Sequence, residues 1–532
     1  MKRNYFVCGL LALFGSLNMQ AAVDFTVNGI NYSQTDSAVV TVVADAEKPY
    51  EGAVNIPASV AYDGIDYAVT AVADKAFNYC TGVTSVTLPE GITELGYGAF
   101  RNCSGMTSIN LPSTLAKIGT SAFFGCKSLA SISIPAAVDS IKPYTFFACE
   151  SLKTVNVPAN VVAVGGSAFA GCKELTSVTL PEGLTEIASY TFHECQKLET
   201  VNIPSTVTQI GDYAFEACFS LPSINIPEGV KQIGTAAFNF CANLASLHLP
   251  ASLTNLAGST FASCLNLTSL TVADGNPIYS SPAGCNALVE TAEKNGNVIC
   301  KLIAGCKTSV IPDGVTAIGN YAFYNCLGLT SINIPAGITE IGASAFYGCV
   351  DLASVTIAEG VEEMGDYAFE GCKALTEIEI PSSITAISDG AFYNCIRLTK
   401  VVLPATTKSI GYDAFYGCNS LKEVVLPAVN CPSAAGAFTE DQKAEVSVLV
   451  PEASLLAYQV DSYWSHFDLL DAIPESNGVV PGVDAETAIG NLKGDAKIVS
   501  VYNLGGQQTP RMQKGINIIR MNDGTTRKVL VK

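Results

Sequence analysis

The chain has 532 residues, too many for one ordinary hydrophobic core, so several domains or a repeat array are expected. Its formal charge is −19, yet only 14% of its residues are charged, so its surface is mostly small, neutral and polar. That balance argues against a nucleic-acid partner, whose phosphates call for clustered Lys and Arg.

The first residues, MKRNYFVCGLLALFGSLNMQAAVDF, read as a secretory signal. Lys2 and Arg3 form a basic start, and Phe6 to Phe14 is an apolar run too short to cross a bilayer. A signal peptide over 1–21 is expected, with cleavage after Ala21 or Ala22. No later segment reaches the ~18 apolar residues that a span needs, so export without a membrane-spanning segment is expected. Residues 22–71 carry hairpin signals at Asn28-Gly29 and Asp63-Gly64, between short strands. They predict an N-terminal β cap.

From residue 72 to 438 the chain repeats. Phenylalanine stands at 77, 100, 123, 146, 169, 192, 215, 238 and 261, then at 323, 346, 369, 392, 415 and 438. The step is 23 residues, except for 62 between Phe261 and Phe323. Cysteine follows three residues after each phenylalanine through Cys418. The unit is L-x-x-[VI]-x-[LI]-P-x-x-[VLI]-x-x-I-G-x-x-A-F-x-x-C. Its first part alternates apolar and polar, as at Val83 to Pro89, and predicts a half-buried strand ended by a proline that cannot donate to a ladder. Ile-Gly-x-x-Ala-Phe predicts a second extended piece, a glycine turn and a short helical or 3₁₀ corner. No unit of this size buries a core alone, but stacked turns do, their strands pairing in parallel. The expected fold class is a repeat solenoid, β-rich, with one continuous apolar column.

The repeated cysteines have no metal-ligand spacing around them. There is no C-x-x-C or H-E-x-x-H, and the only histidines are His193, His248 and His466. A small buried hydrophobe is the expected role for each thiol. Cys285, Cys300, Cys306 and Cys431 stand off the period, and Cys285 with Cys306 is the candidate disulfide. The long step places extra residues at about 275–306. NALVETAEKNGNVICKLIAGC alternates on both sides of Asn295-Gly296, which predicts a hairpin insertion. The hairpin either projects as a contact element or joins two repeat blocks.

Three stripes are candidate ligand surfaces. Two strand columns on the expected concave sheet carry short polar side chains, among them Asn110, Asn156, Asn202, Asn225 and His248. Toward the C-terminus the same columns become Glu377, Glu379 and Lys400. A third stripe, just after the repeat phenylalanine, holds Tyr324, Tyr347, Tyr393 and Tyr416. The columns can equally stabilise stacking, and the tyrosines can equally shield the corner of each turn. PESNGVVPGVD reads as a linker, 475–485. Residues 486–532 carry a net +5 and predict three short strands with turns at Gly505-Gly506 and Asp523-Gly524.

The A-F-x-x-C unit resembles the BspA-type leucine-rich repeats of bacterial surface antigens, almost throughout 72–438. The resemblance implies a right-handed leucine-rich-repeat coil, closed by N- and C-terminal caps, that attaches to host matrix proteins or to other cells. Residues 448–469 resemble that family's closing element, which implies a C-terminal cap over 439–474 with the single tryptophan, Trp464, and Phe467 covering the last rung. The C-terminal module resembles type IX secretion sorting domains, with Asn517 where an aromatic is usual after Lys-Gly-Ile. The expected product is an exported monomer at the cell surface or outside the cell, an adhesin or protein-binding scaffold without cofactor or metal. A glycan-binding component of a surface uptake system is the alternative. No G-x-S-x-G, phosphate-binding glycine loop or paired His–acid arrangement suggests an enzyme.

Overall fold

The computed structural model describes residues 22–45, 47–294, 297–473 and four strands beyond: Ile498–Asn503, Gln508–Thr509, Gly515–Met521 and Thr526–Val531. The chain divides into two units, one ending at Ile473 and one beginning at Pro474. The expected signal peptide 1–21 and linker 475–485 lie outside the described residues, and Ala22 is the first residue described.

The first unit is a β-solenoid. Its turns pair on two faces, and each residue meets the residue 23 positions away. On one face Ser85 pairs with Ser108 and Thr87 with Asn110. On the other, Glu94 pairs with Lys117 and Leu95 with Ile118. The strands are short because proline ends the first one and the Ile-Gly glycine ends the second. That glycine has a steric cause. A Cβ on Gly96 would lie 2.5 Å from the Asp74 amide nitrogen, and one on Gly234 would lie 2.5 Å from that of Asp212. Backbones of adjacent turns approach closely at such glycines, and Lys142, Ala188, Ala257 and Ser388 hold the position in other turns.

The third side of each turn is the Ala-Phe corner. The phenylalanine rings stack from Phe77 to Phe261 at centroid spacings of 4.9 to 6.1 Å and again from Phe323 to Phe438 at 5.0 to 5.7 Å. Nearly all are fully buried. The expected helical or 3₁₀ corner does not form. Residues two before and two after each phenylalanine from Phe77 to Phe415 take positive φ, such as Tyr144 (58°) and Ala148 (54°) around Phe146. This alternation of left- and right-handed residues points successive amides the same way. Phe77, Tyr79 and Lys75 donate to the Ala99, Arg101 and Tyr97 carbonyls of the next turn, at 2.8 Å each. The same three bonds recur at every step from Phe77 to Phe238. Parallel strands alternate the direction of their bonds. Here all N–H groups face the C-terminal end.

The ends are built from the chain's own flanks. Gly52–Asn55 pairs with Val83–Thr87 and starts one face; Ile65–Val72 pairs with Glu94–Leu95 and starts the other. Tyr50 lies 4.6 Å from Phe77 and heads the ring stack. At the far end, Ser447–Val450 and Leu469–Ala472 continue the first face. Trp464 and Phe467 are buried against Phe438, and the Trp464 indole donates to the Pro432 carbonyl at 2.8 Å. In the second unit the strands form an antiparallel sheet in the order 508–509, 498–503, 515–521, 526–531. That is one strand more than expected, because Gln508–Thr509 turns back to pair with Val501 and Tyr502.

The insertion is a hairpin. Leu288–Lys294 pairs antiparallel with Asn297–Ala304. Its second strand also pairs in parallel with Ala317–Ile318, so it replaces a repeat strand in the ladder. The hairpin therefore joins two blocks, and the buried core divides there into two clusters.

Candidate functional site

The cysteine column lies inside. Every described cysteine is a free thiol, and of those on the repeat period only Cys264 and Cys326, which flank the insertion, are not fully buried. The thiols do more than fill space. Cys103 Sγ donates to the Phe77 carbonyl at 3.0 Å, and Cys172 Sγ to the Phe146 carbonyl at 3.2 Å. The same bond runs from each cysteine to the phenylalanine of the preceding turn through Cys264, and again from Cys349 to Cys418. Each such carbonyl also accepts the amide of its own turn's cysteine, as Phe77 does from Cys80 at 3.0 Å. Burial pushes the thiols of Cys149, Cys172 and Cys218 well above the ordinary range, the opposite of what a nucleophile needs. The disulfide expected between Cys285 and Cys306 is not formed. Their thiols point to the carbonyls of Ala287 and Asn286 instead, at 3.4 Å each. Among the described residues no group of three His, Cys, Asp or Glu is placed to hold a metal ion.

The polar strand columns are partly structural. Asn110 accepts from the Leu88 amide at 2.9 Å and donates to the Leu88 carbonyl at 3.0 Å. Asn202 clips Leu180 in the same way, at 2.7 and 2.9 Å. Asn156 and Asn225 are exposed without such a clip. His248 Nδ1 lies 2.9 Å from the Thr271 hydroxyl one turn on. Glu377 and Glu379 are exposed, and Lys400 pairs with Glu423 at 2.8 Å, which raises its pKa. These residues share one face but do not converge on a cavity.

The aromatic stripe is broader than the four tyrosines. Tyr324 stacks on Tyr347 at 4.6 Å and 4°, and Tyr393 on Tyr416 at 5.1 Å and 11°. Phe124 stacks on Phe147 at 4.7 Å in the equivalent positions of the first block, and Arg101 lies over Phe124 at 4.4 Å. A second row stands two residues before the repeat phenylalanine. There Tyr190 stacks on Tyr213 at 4.8 Å, and Tyr144, Tyr321 and Tyr367 are exposed. Sequence reasoning followed one register and missed this second row, though the same 23-residue step reveals it. The four stacked pairs lie face to face and cover each other's inner faces, whereas Tyr321 meets Tyr324 edge-on.

Coiling turns, a ring stack and an exposed corner define a leucine-rich-repeat solenoid. The BspA type leucine-rich repeat region matches over residues 70–187, 163–281 and 303–434. The chain belongs to that family. A leucine-rich-repeat protein of Bacteroides ovatus is 29% identical, over 76% of this chain and 94% of that one, with a TM-score of 0.54. A leucine-rich cell surface protein of Faecalibacterium prausnitzii is 28% identical over 79% and 97%, with a TM-score of 0.48. The leucine-rich-repeat protein of T. pallidum is 32% identical over 37% and 90%, with a TM-score of 0.34. No curated protein matches the chain. No described helix is long and apolar enough to cross a membrane.

Proposed function

We propose that the chain is exported and acts at the cell surface, as a monomer and without catalysis, holding host matrix proteins or proteins of other cells through its aromatic corner. One observation carries this reading: stacked, half-exposed rings recur on the same corner in both repeat blocks. Tyrosine combines contact area with a hydroxyl, which is why it is enriched where proteins meet. A row of equal rungs also lets weak contacts add along one partner. Membership of the BspA-type family supports surface placement. Sugars stack on open ring faces, and in the stacked pairs each ring covers one face of its neighbour, so a glycan-binding uptake component is the weaker reading.

The test is a panel of immobilised matrix proteins beside a glycan array, read with the mature chain and with a variant carrying Tyr324→Ser, Tyr347→Ser, Tyr393→Ser and Tyr416→Ser. The expected result is a protein hit that the variant weakens at least about tenfold, since hot-spot tyrosines each contribute over ~1 kcal/mol, with the unfolding midpoint little changed. Binding confined to glycans, or lost only together with stability, removes the proposal.

A further inference from the structure

The corner ladder is interrupted once, where the hairpin enters, and the interruption leaves a cavity of about 240 Å³. One wall is Leu256 to Cys264; across from it stand Ile303 to Cys306, Gly319 to Ala322 and Tyr324 to Cys326, with Glu290 and Lys301 also lining it. Two observations meet there. The first is unused backbone. In every other turn that has a successor, the amides two before the repeat phenylalanine and of the phenylalanine itself donate to the next turn. At the break, Ser263 reaches the Tyr324 carbonyl at 3.1 Å, and Gly305 from the hairpin serves the Ala322 carbonyl at 2.8 Å. Ser259 and Phe261 donate to nothing among the described residues. The ladder's single direction aims both N–H groups at the following rung, which is here the cavity.

The second observation is the lining. Ser259 has a φ of +60°, so with its right-handed neighbour it forms the concave pair of amides that favours an anion. The aligned amides of all preceding rungs end at this point with their positive pole, as at the start of a helix. Lys301 adds a cation that forms no ion pair among the described residues, with Glu290 as its cross-strand neighbour. Leu256, Ile303 and Ala304 supply an apolar side.

We propose that the broken rung binds a small amphipathic carboxylate, its oxygens held by the Ser259 and Phe261 amides and its apolar part against Leu256, Ile303 and Ala304. A free organic acid and the C-terminus of a partner peptide both present this chemistry. The experiment is calorimetric titration of the mature chain with 3-phenylpropionate, with its neutral amide, and with a short Phe-terminated peptide as free acid and as C-terminal amide. An acid is expected to bind about tenfold tighter than its matching amide, the difference between charge-assisted and neutral hydrogen bonds. Whichever acid shows that preference identifies the source. Lys301→Gln is expected to weaken binding roughly fivefold. Ser259→Tyr should abolish it while folding normally, because Tyr144, Tyr190, Tyr213, Tyr321 and Tyr367 already occupy the equivalent position with positive φ. Equal affinity for acid and amide, absence of heat with both acids, or binding that persists in Ser259→Tyr overturns the proposal.

Discussion

A cysteine that returns every turn looks, in sequence, like filler. Its burial was legible because the residue type is small, apolar and regularly spaced. Its hydrogen bond was not, since no periodicity tells which carbonyl a thiol will meet. The bond from Cys172 Sγ to the Phe146 carbonyl ties one turn to the one before it, inside the core. Cys172→Ala removes both the sulfur and that donor, and is expected to destabilise the chain by about 1–3 kcal/mol in urea unfolding. The thiols also set a pH dependence. In the unfolded chain they ionise near ~8.5, whereas burial holds Cys126, Cys149, Cys172, Cys218, Cys241 and Cys372 well above that in the folded chain. Above the unfolded value the unfolded state holds fewer protons, so stability falls as pH rises. It is complete below that value and declines through the alkaline range. Denaturant midpoints at pH 7.5 and ~10 should differ steeply, with more than one proton released per molecule.

At the scale of the element, the strands were predictable and the corner was not. Alternating residues such as those of Val83–Thr87 fix which side chains point inward, and proline fixes where the strand stops. The corner depends on positive φ at ordinary residues, among them Tyr190 and Ala217. No local signal marks them, because L-residues rarely adopt that region alone. Here the ladder to the next turn imposes it. The series of thiol bonds to the preceding turn also needs an ending, and Gln442 supplies it. The helix Glu440–Glu445 starts at Thr439 with a reciprocal bond to Gln442, whose amide then donates to the Phe415 carbonyl at 2.8 Å and the Cys418 carbonyl at 3.3 Å. It stands where another turn would place its thiol. Gln442→Leu keeps the bulk and removes the donors, leaving buried carbonyls short of a partner. The expected loss is about 1–3 kcal/mol, and hydrogen exchange should speed up in the last turns while those near Phe146 stay protected.

Across the first unit, each turn touches only its neighbours, so stability is a sum of repeated interfaces. The 23-residue step in the sequence disclosed that organisation, and the 62-residue gap disclosed where it is interrupted. Whether the hairpin would project or join was open, because both fates share one alternating pattern. Pairing of Lys301 with Ala317 and of Leu302 with Ile318 decided it. The two rows of corner rings were half legible: one register was read, and the other needed the rings placed side by side. The repeated residues hold turns together, and the outward ones offer a surface.

Thiol mapping of the native chain tests that division of roles most directly. A soluble alkylating reagent at neutral pH, followed by peptide mass spectrometry, should modify Cys300 and Cys431 first, with Cys264 and Cys326 lagging because burial raises their thiols. The remaining repeat cysteines should react only after denaturant is added. Rapid native modification across the repeat column would mean that the sulfurs face outward, and the scaffold account would fail.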